Sequence, residues 1–183
     1  GEPDKTGLSN YFANLVVSDS LLTSGKLPAT AGELGRYVKP CGGVACFGVP
    51  HIGGNVRVSA DELKTALAGV YLRDDAQLET ADNWVVLRRG KLAGAGDWSH
   101  QYGSPDNACF SNDQLVKGSL GVLWYGDPGP SKMINRHEAA AAPLSTNGRF
   151  FSQGIDSVRA YDAYNGQFLW EYKNPGAIRT GVF

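Results

Sequence analysis

The chain has 183 residues, room for one ordinary domain or two small ones. Hydrophobic residues make up 42% and charged residues 19%, a globular composition that excludes a disordered chain. Its 17 basic side chains face 18 acidic ones with no dense Lys/Arg run, which excludes a basic surface built for nucleic acid.

Glycine is abundant, at 24 residues spread over turn-like settings, so many tight turns are expected. No apolar run is long enough for a membrane span. The opening Gly-Glu-Pro-Asp-Lys-Thr lacks the basic start and apolar core of a signal peptide, and without an initiator Met, Gly1 is not expected to be the natural start of the gene. Of the three cysteines, Cys41, Cys46 and Cys109, not all can pair. Cys46 lies in an apolar run, and the Cys41 to Cys46 spacing fits no common zinc pattern, so buried free thiols and no metal site are expected.

In chain order, Asn14 to Asp19 reads as a buried strand ending in polar residues. Pro28 to Lys39 is expected to be a helix capped by Thr30, with Glu33 three residues on completing a capping box and Leu34 and Val38 on one face. Pro40 and Gly42-Gly43 stop it, and Val44 to Val49 forms the next strand. Ser59 caps a second helix running through Ala68, with Glu62 as its partner and Leu63 and Leu67 inward. Asn83 to Arg88 is the last strand of this half. Strand, helix, strand, helix, strand is an α/β layout, with helices packed on a sheet.

After Gly90 the helical periodicity ends. Gly94-Ala-Gly96 reads as a linker. From Leu120 onward short apolar runs are separated by Asp-Pro-Gly, Thr-Asn-Gly, Gly-Ile-Asp and Tyr-Asn-Gly, which are hairpin signals because Asn and Gly tolerate positive φ. Four strands are expected: Ala140 to Ser145, Arg149 to Gln153, Ser157 to Tyr161, and Gln167 to Tyr172. Four is the strand count of one propeller blade.

Ala160-Tyr-Asp-Ala-Tyr-Asn-Gly-Gln-Phe-Leu-Trp170 resembles the tryptophan-docking motif of the pyrroloquinoline-quinone (PQQ) type propeller repeat, Ala-x-Asp-x-x-Thr-Gly-x-x-x-Trp, with Asn165 in place of the usual Thr. Leu123-Trp124 and Pro143 to Gly148 are similar to the rest of such a repeat, so the resemblance covers Leu120 to Ala177. It implies that Asp162 and Gly166 bracket a tight turn, that Ala160 belongs to the same motif, and that Trp170 is a flat plate packed between blades. Asp97 to Pro130 resembles the lead-in to the propeller of large bacterial multidomain proteins. Relatives include binding scaffolds without quinone, and dehydrogenases whose quinone and metal ligands come from several blades; no such ligand can be assigned from one blade.

Asn14 to Arg89 is similar to the C-terminal part of a class I S-adenosylmethionine-dependent methyltransferase. Asn14-Leu-Val-Val-Ser-Asp19 matches its fourth strand, and Glu33-Leu-Gly-Arg-Tyr-Val-Lys-Pro-Cys-Gly-Gly-Val44 its Glu-x-x-Arg-x-Leu-Lys-Pro-Gly-Gly segment, with Cys41 as an extra residue. The family's glycine-rich cofactor loop would precede Gly1, and Ser20-Leu-Leu departs from the Pro-Pro-aromatic signature of amino-group methylases. Ser18 and Asp19 would stand at the carboxyl edge of the sheet, where α/β folds place ligands. They are the candidate catalytic positions, against a plain strand-end cap.

Other candidates have plainer readings. His137-Glu138 begins like a zincin helix, but position 141 is Ala. Asn135-Arg136-His137 could face a funnel. His100 near Asp97 and Ser99 suggests a nucleophilic set, but no nucleophile elbow accompanies it, and a loop hydrogen-bond network is the simpler reading. Trp124, Tyr125, Tyr161, Tyr164, Phe168 and Trp170 could stack bases or sugars, although at strand spacing they read as packing between blades.

The expected architecture is thus a partial Rossmann-like methyltransferase sheet over 1–93, a linker leading into the propeller over 94–119, and one all-β four-stranded blade over 120–183. The expected role is binding or scaffolding within a larger bacterial multidomain protein. The alternatives are part of a quinone-dependent dehydrogenase or part of a methyltransferase. No cofactor is expected for this chain alone, with PQQ or S-adenosylmethionine reserved for an intact parent. The expected partners are further propeller blades, another chain or an oligomer, with no nucleic acid and no membrane span. The propeller resemblance points outside the cytoplasm, to the periplasm, and the methyltransferase resemblance inside. A lone blade exposes its edges and Trp170, so the isolated chain is expected to be oligomeric or poorly soluble.

Overall fold

The structure, a computed structural model, describes residues 5–49, 59–71, 74–127, 132–134 and 141–176. The chain divides into two units, Gly1–Ala93 and Gly94–Phe183. The first mixes helices with a sheet and the second is built on strands, giving two open four-stranded sheets. Among the described residues no helix is long and apolar enough to cross a membrane.

In the first unit, β1 (Leu15–Ser18) runs parallel to β2 (Val44–Gly48). Helices α1 (Ser20–Ser24) and α2 (Ala31–Arg36) lie between them in sequence. Helix α3 (Ala60–Tyr71) precedes a hairpin of β3 (Gln77–Ala81) and β4 (Trp84–Arg88). β4 inserts antiparallel beside β2, so the sheet order is β1-β2-β4-β3. Leu34, Ala45, Phe47, Leu63, Leu67, Val85 and Leu87 form the core on the helix-covered side.

Both helix starts obey local chemistry. Thr30 has an extended backbone, and its side chain accepts the Glu33 N–H at 3.2 Å. Ser59 and Glu62 form a reciprocal box: Glu62 N–H donates to Ser59 Oγ at 3.2 Å, and Ser59 N–H to Glu62 Oε2 at 2.7 Å. These bonds hold the Glu62 carboxyl below its usual range.

Several boundaries differ from the sequence reading. The helix expected over Pro28 to Lys39 contracts to Ala31–Arg36, because Thr30 is the extended cap that starts it and Val38 is drawn into a bridge with Ala13. Val38 leaves the helix and bridges Ala13 instead, yet it is fully buried like the helical Leu34. The second helix runs past Ala68 to Tyr71. Strand β3 and helix α1 were not anticipated.

In the second unit, β5 (Leu144–Thr146), β6 (Arg149–Gly154), β7 (Ser157–Asp162) and β8 (Phe168–Lys173) form an antiparallel meander in sequence order. Asn147 and Gly148 both take positive φ in the β5–β6 turn, the geometry a two-residue hairpin demands. The first strand, expected from Ala140 to Ser145, begins only at Leu144: residues 141–143 form no strand, and residue 140 lies outside the described residues. Pro143 has no N–H to give a ladder.

Candidate functional site

The best-defined constellation is the turn between β7 and β8. Asp162 is 2% exposed at the end of β7, and its carboxylate accepts the backbone N–H groups of Tyr164 at 2.9 Å and Asn165 at 3.2 Å. Its own N–H donates to Gln167 O at 2.8 Å, and its carbonyl accepts from Gly166 N–H at 3.0 Å. Gly166 sits at φ +72°, where a β-carbon would be strained, and the ring of Trp124 occupies the space that carbon would need. Trp124 is held by a bond from Nε1 to Ala163 O at 2.9 Å and by an edge contact with Phe150. An acid that folds the turn and a glycine that admits an indole therefore serve one purpose, docking Trp124.

Ala160 is fully buried opposite Trp170 in the ladder. Trp170 packs on Phe151, with ring centroids 6.0 Å apart, and is 43% exposed. Of the two indoles, then, Trp124 is the docked one and Trp170 the open one. The specific Trp124–Gly166 contact was not foreseen, although Leu123-Trp124 was read as part of the repeat. The positive φ that Asn-Gly invites at Gly166 was its available signal.

On the other side of this sheet, Arg159 and Glu171 pair at 2.7 Å and Lys173 joins Glu171 at 3.1 Å. Lys173 first, then Arg159 and Ser157, hold the Glu171 carboxyl below its usual range against a partial loss of hydration. Arg159 also donates to Lys132 O at 2.6 Å, tying the lead-in segment to β7.

In the first unit Ser18 closes β1 and Asp19 stands at the start of α1. The capping role expected at Asp19 falls to its neighbour: Ser18 Oγ accepts the Ser20 N–H at 3.3 Å, and the Asp19 side chain caps nothing. Asp19 has φ −101° and ψ 6°, outside the extended geometry that aims a cap side chain at the helix amides. The two candidates are adjacent in sequence, and the one further side chain bonded to them among the described residues, Thr23, donates its hydroxyl to the Asp19 backbone carbonyl at 3.3 Å.

Arg89 and Asp74, which sequence reasoning passed over, form a buried ion pair at 3.0 Å. Arg89 also donates to Val38 O at 2.8 Å and Gly35 O at 3.2 Å, and Asp74 accepts from Ala93 N–H at 3.1 Å. The pair ties the end of β4 to the C-terminal end of α2. Its chemistry is architectural.

The thiols differ from expectation. None of the three forms a disulfide, but Cys109 is exposed and Cys41 and Cys46 are only partly covered. Cys41 and Cys109 sit in left-handed turns, and Cys46 faces the side of its sheet that no helix covers. Among the described residues no three His, Cys, Asp or Glu side chains gather closely enough to hold a metal ion. Ser99 Oγ and His100 Nδ1 are 2.9 Å apart on an exposed loop. His137, Glu138, Asn135 and Arg136 lie outside the described residues.

Two shallow recesses mark the uncovered sheet faces. One, of about 360 Å³, is lined by Leu15, Val17, Cys46, Ala81, Trp84 and Val86. The other, of about 240 Å³, lies over Leu144, Phe151 and Val158. Neither is lined by a charged side chain; the first is apolar apart from Cys46, and the second adds Ser152, Gln153, Ser157 and Asn174. Comparison of the chain with protein-family models, with curated proteins and with solved structures finds no match.

Proposed function

We propose that Leu120 to Ala177 is one blade of a quinoprotein-type propeller and that the chain serves as a binding or scaffolding element rather than a catalyst on its own. The observation that carries this reading is the β7–β8 turn, in which Asp162 folds the loop and Gly166 receives Trp124, leaving Trp170 as an open apolar plate. The meander order supports it, since a blade is four antiparallel strands joined by short turns. Phe151 and Trp170 share one face and form the surface on which a neighbouring sheet would rest.

A second reading applies to the first unit, which resembles the later half of a class I methyltransferase. Parallel β1 and β2, joined through helices, followed by a hairpin whose last strand inserts antiparallel next to β2, support it. Ser18 and Asp19 stand at the carboxyl end of β1, the edge where such sheets take ligands.

Calorimetric titration of the chain with PQQ plus calcium, and separately with S-adenosylmethionine, tests the proposal. No saturable heat is expected with either. Saturable binding of PQQ would replace the scaffold by part of a dehydrogenase, and saturable binding of S-adenosylmethionine would restore a catalytic first unit.

A further inference from the structure

We infer that the stretch Leu120 to Tyr125 is a strand without a sheet, and that its partner is the outer strand β8 of a second copy of this chain. Residues 120–126 are neither helical nor turned, none has positive φ, and their backbone makes no hydrogen bond. Leu120, Val122 and Tyr125 are 81%, 82% and 98% exposed. Such a run would normally collapse or pair, because large apolar side chains in water are unfavourable. It is instead held open by Trp124, pinned through Ala163 O and Gly166. A pinned segment with unused N–H and C=O groups has lost much of its conformational freedom before a partner arrives.

The acceptor is on the same unit. β8 is the last strand of its sheet, and among the described residues nothing pairs with its outer edge. It displays Phe168, Leu169, Trp170 and Tyr172, all exposed. Glu171 is engaged by both Arg159 and Lys173, so no unpaired carboxylate stands on this strand. Leu120 to Tyr125 is itself uncharged, and at six residues it equals β8 in length. A second copy supplies donor and acceptor together, and a two-fold arrangement forms two strand pairs at once, burying both apolar runs. The inference rests on the two edges and holds whether or not the meander is a propeller blade.

Light scattering after size exclusion across a concentration series, in reducing agent, combined with hydrogen exchange, tests it. The expected result is a dimer in which the amides of Leu120 to Tyr125 and of β8 slow together, by about tenfold or more, as the dimer fraction rises. Val122→Pro, placed where no native hydrogen bond is lost, should abolish both dimer and protection while β6 and β7 stay protected. Leu120→Lys with Val122→Lys should do the same without altering the backbone. A monomer at every concentration would overturn the inference. So would an association that leaves these amides fast or survives both variants.

Discussion

Gly166 shows how much one missing side chain can decide. Replacing it by Ala puts a β-carbon at positive φ and into the ring of Trp124. The backbone penalty alone is about 1–3 kcal/mol, and the indole must also move. Urea unfolding followed by tryptophan fluorescence should record a loss of at least that size, with the emission of Trp124 shifted towards a wetter environment. Asp113 acts by charge. Its carboxylate accepts N–H groups from Gly96, Val116 and Leu115, which hold its pKa below the usual range. Because the folded pKa is depressed, this latch stabilises the loop fully above the unfolded value of about 3.9 and loses that contribution as pH falls through the folded value. Asp113→Asn should therefore flatten the decline of stability below about pH 4, measured as the unfolding midpoint against pH.

Elements with their own start signals were legible. Thr30 with Glu33 and Ser59 with Glu62 announced α2 and α3; Ser59 and Glu62 make both bonds of the box, whereas Thr30 accepts the Glu33 N–H but the Glu33 carboxylate pairs with Arg36 instead. Ser59→Ala should cost about 1 kcal/mol and shorten α3 from its first turn, seen as lower helical circular dichroism and a lower melting point. The β5–β8 turns were legible for a related reason, since Asn147-Gly148 and Asn165-Gly166 accept backbone angles other residues resist. Strand β3 was not. Gln77–Ala81 carries a single large aliphatic, Leu78, and owes its strand to the ladder with Trp84–Arg88 across the turn at Asp82. Helix α1 is only five residues long and ends on Gly25 in the left-handed conformation, too short to display a period. The site was half legible. The turn that Asp162 and Gly166 bracket was signalled by Asn165-Gly166, but the buried Arg89–Asp74 pair joins residues whose meeting depends on the fold of the whole unit.

For the whole molecule, two units with separate sheets imply two unfolding events. Helices α1, α2 and α3 belong to the first unit, whereas Trp98, Trp124 and Trp170, three of the four tryptophans, belong to the second. Far-ultraviolet circular dichroism and tryptophan fluorescence thus follow different parts of the chain. Their denaturant midpoints should not coincide, and coincident curves would show one cooperative block.

The sheet connections also set a timetable. In β5–β8 every strand pairs with its immediate neighbour in sequence, so each contact closes a short loop. β1 must wait for β2 across two intervening helices, and β2 must wait for β4 across α3 and β3. Loop-closure entropy and contact order both place the meander first, so it assembles while the strands of the first unit are still searching for one another.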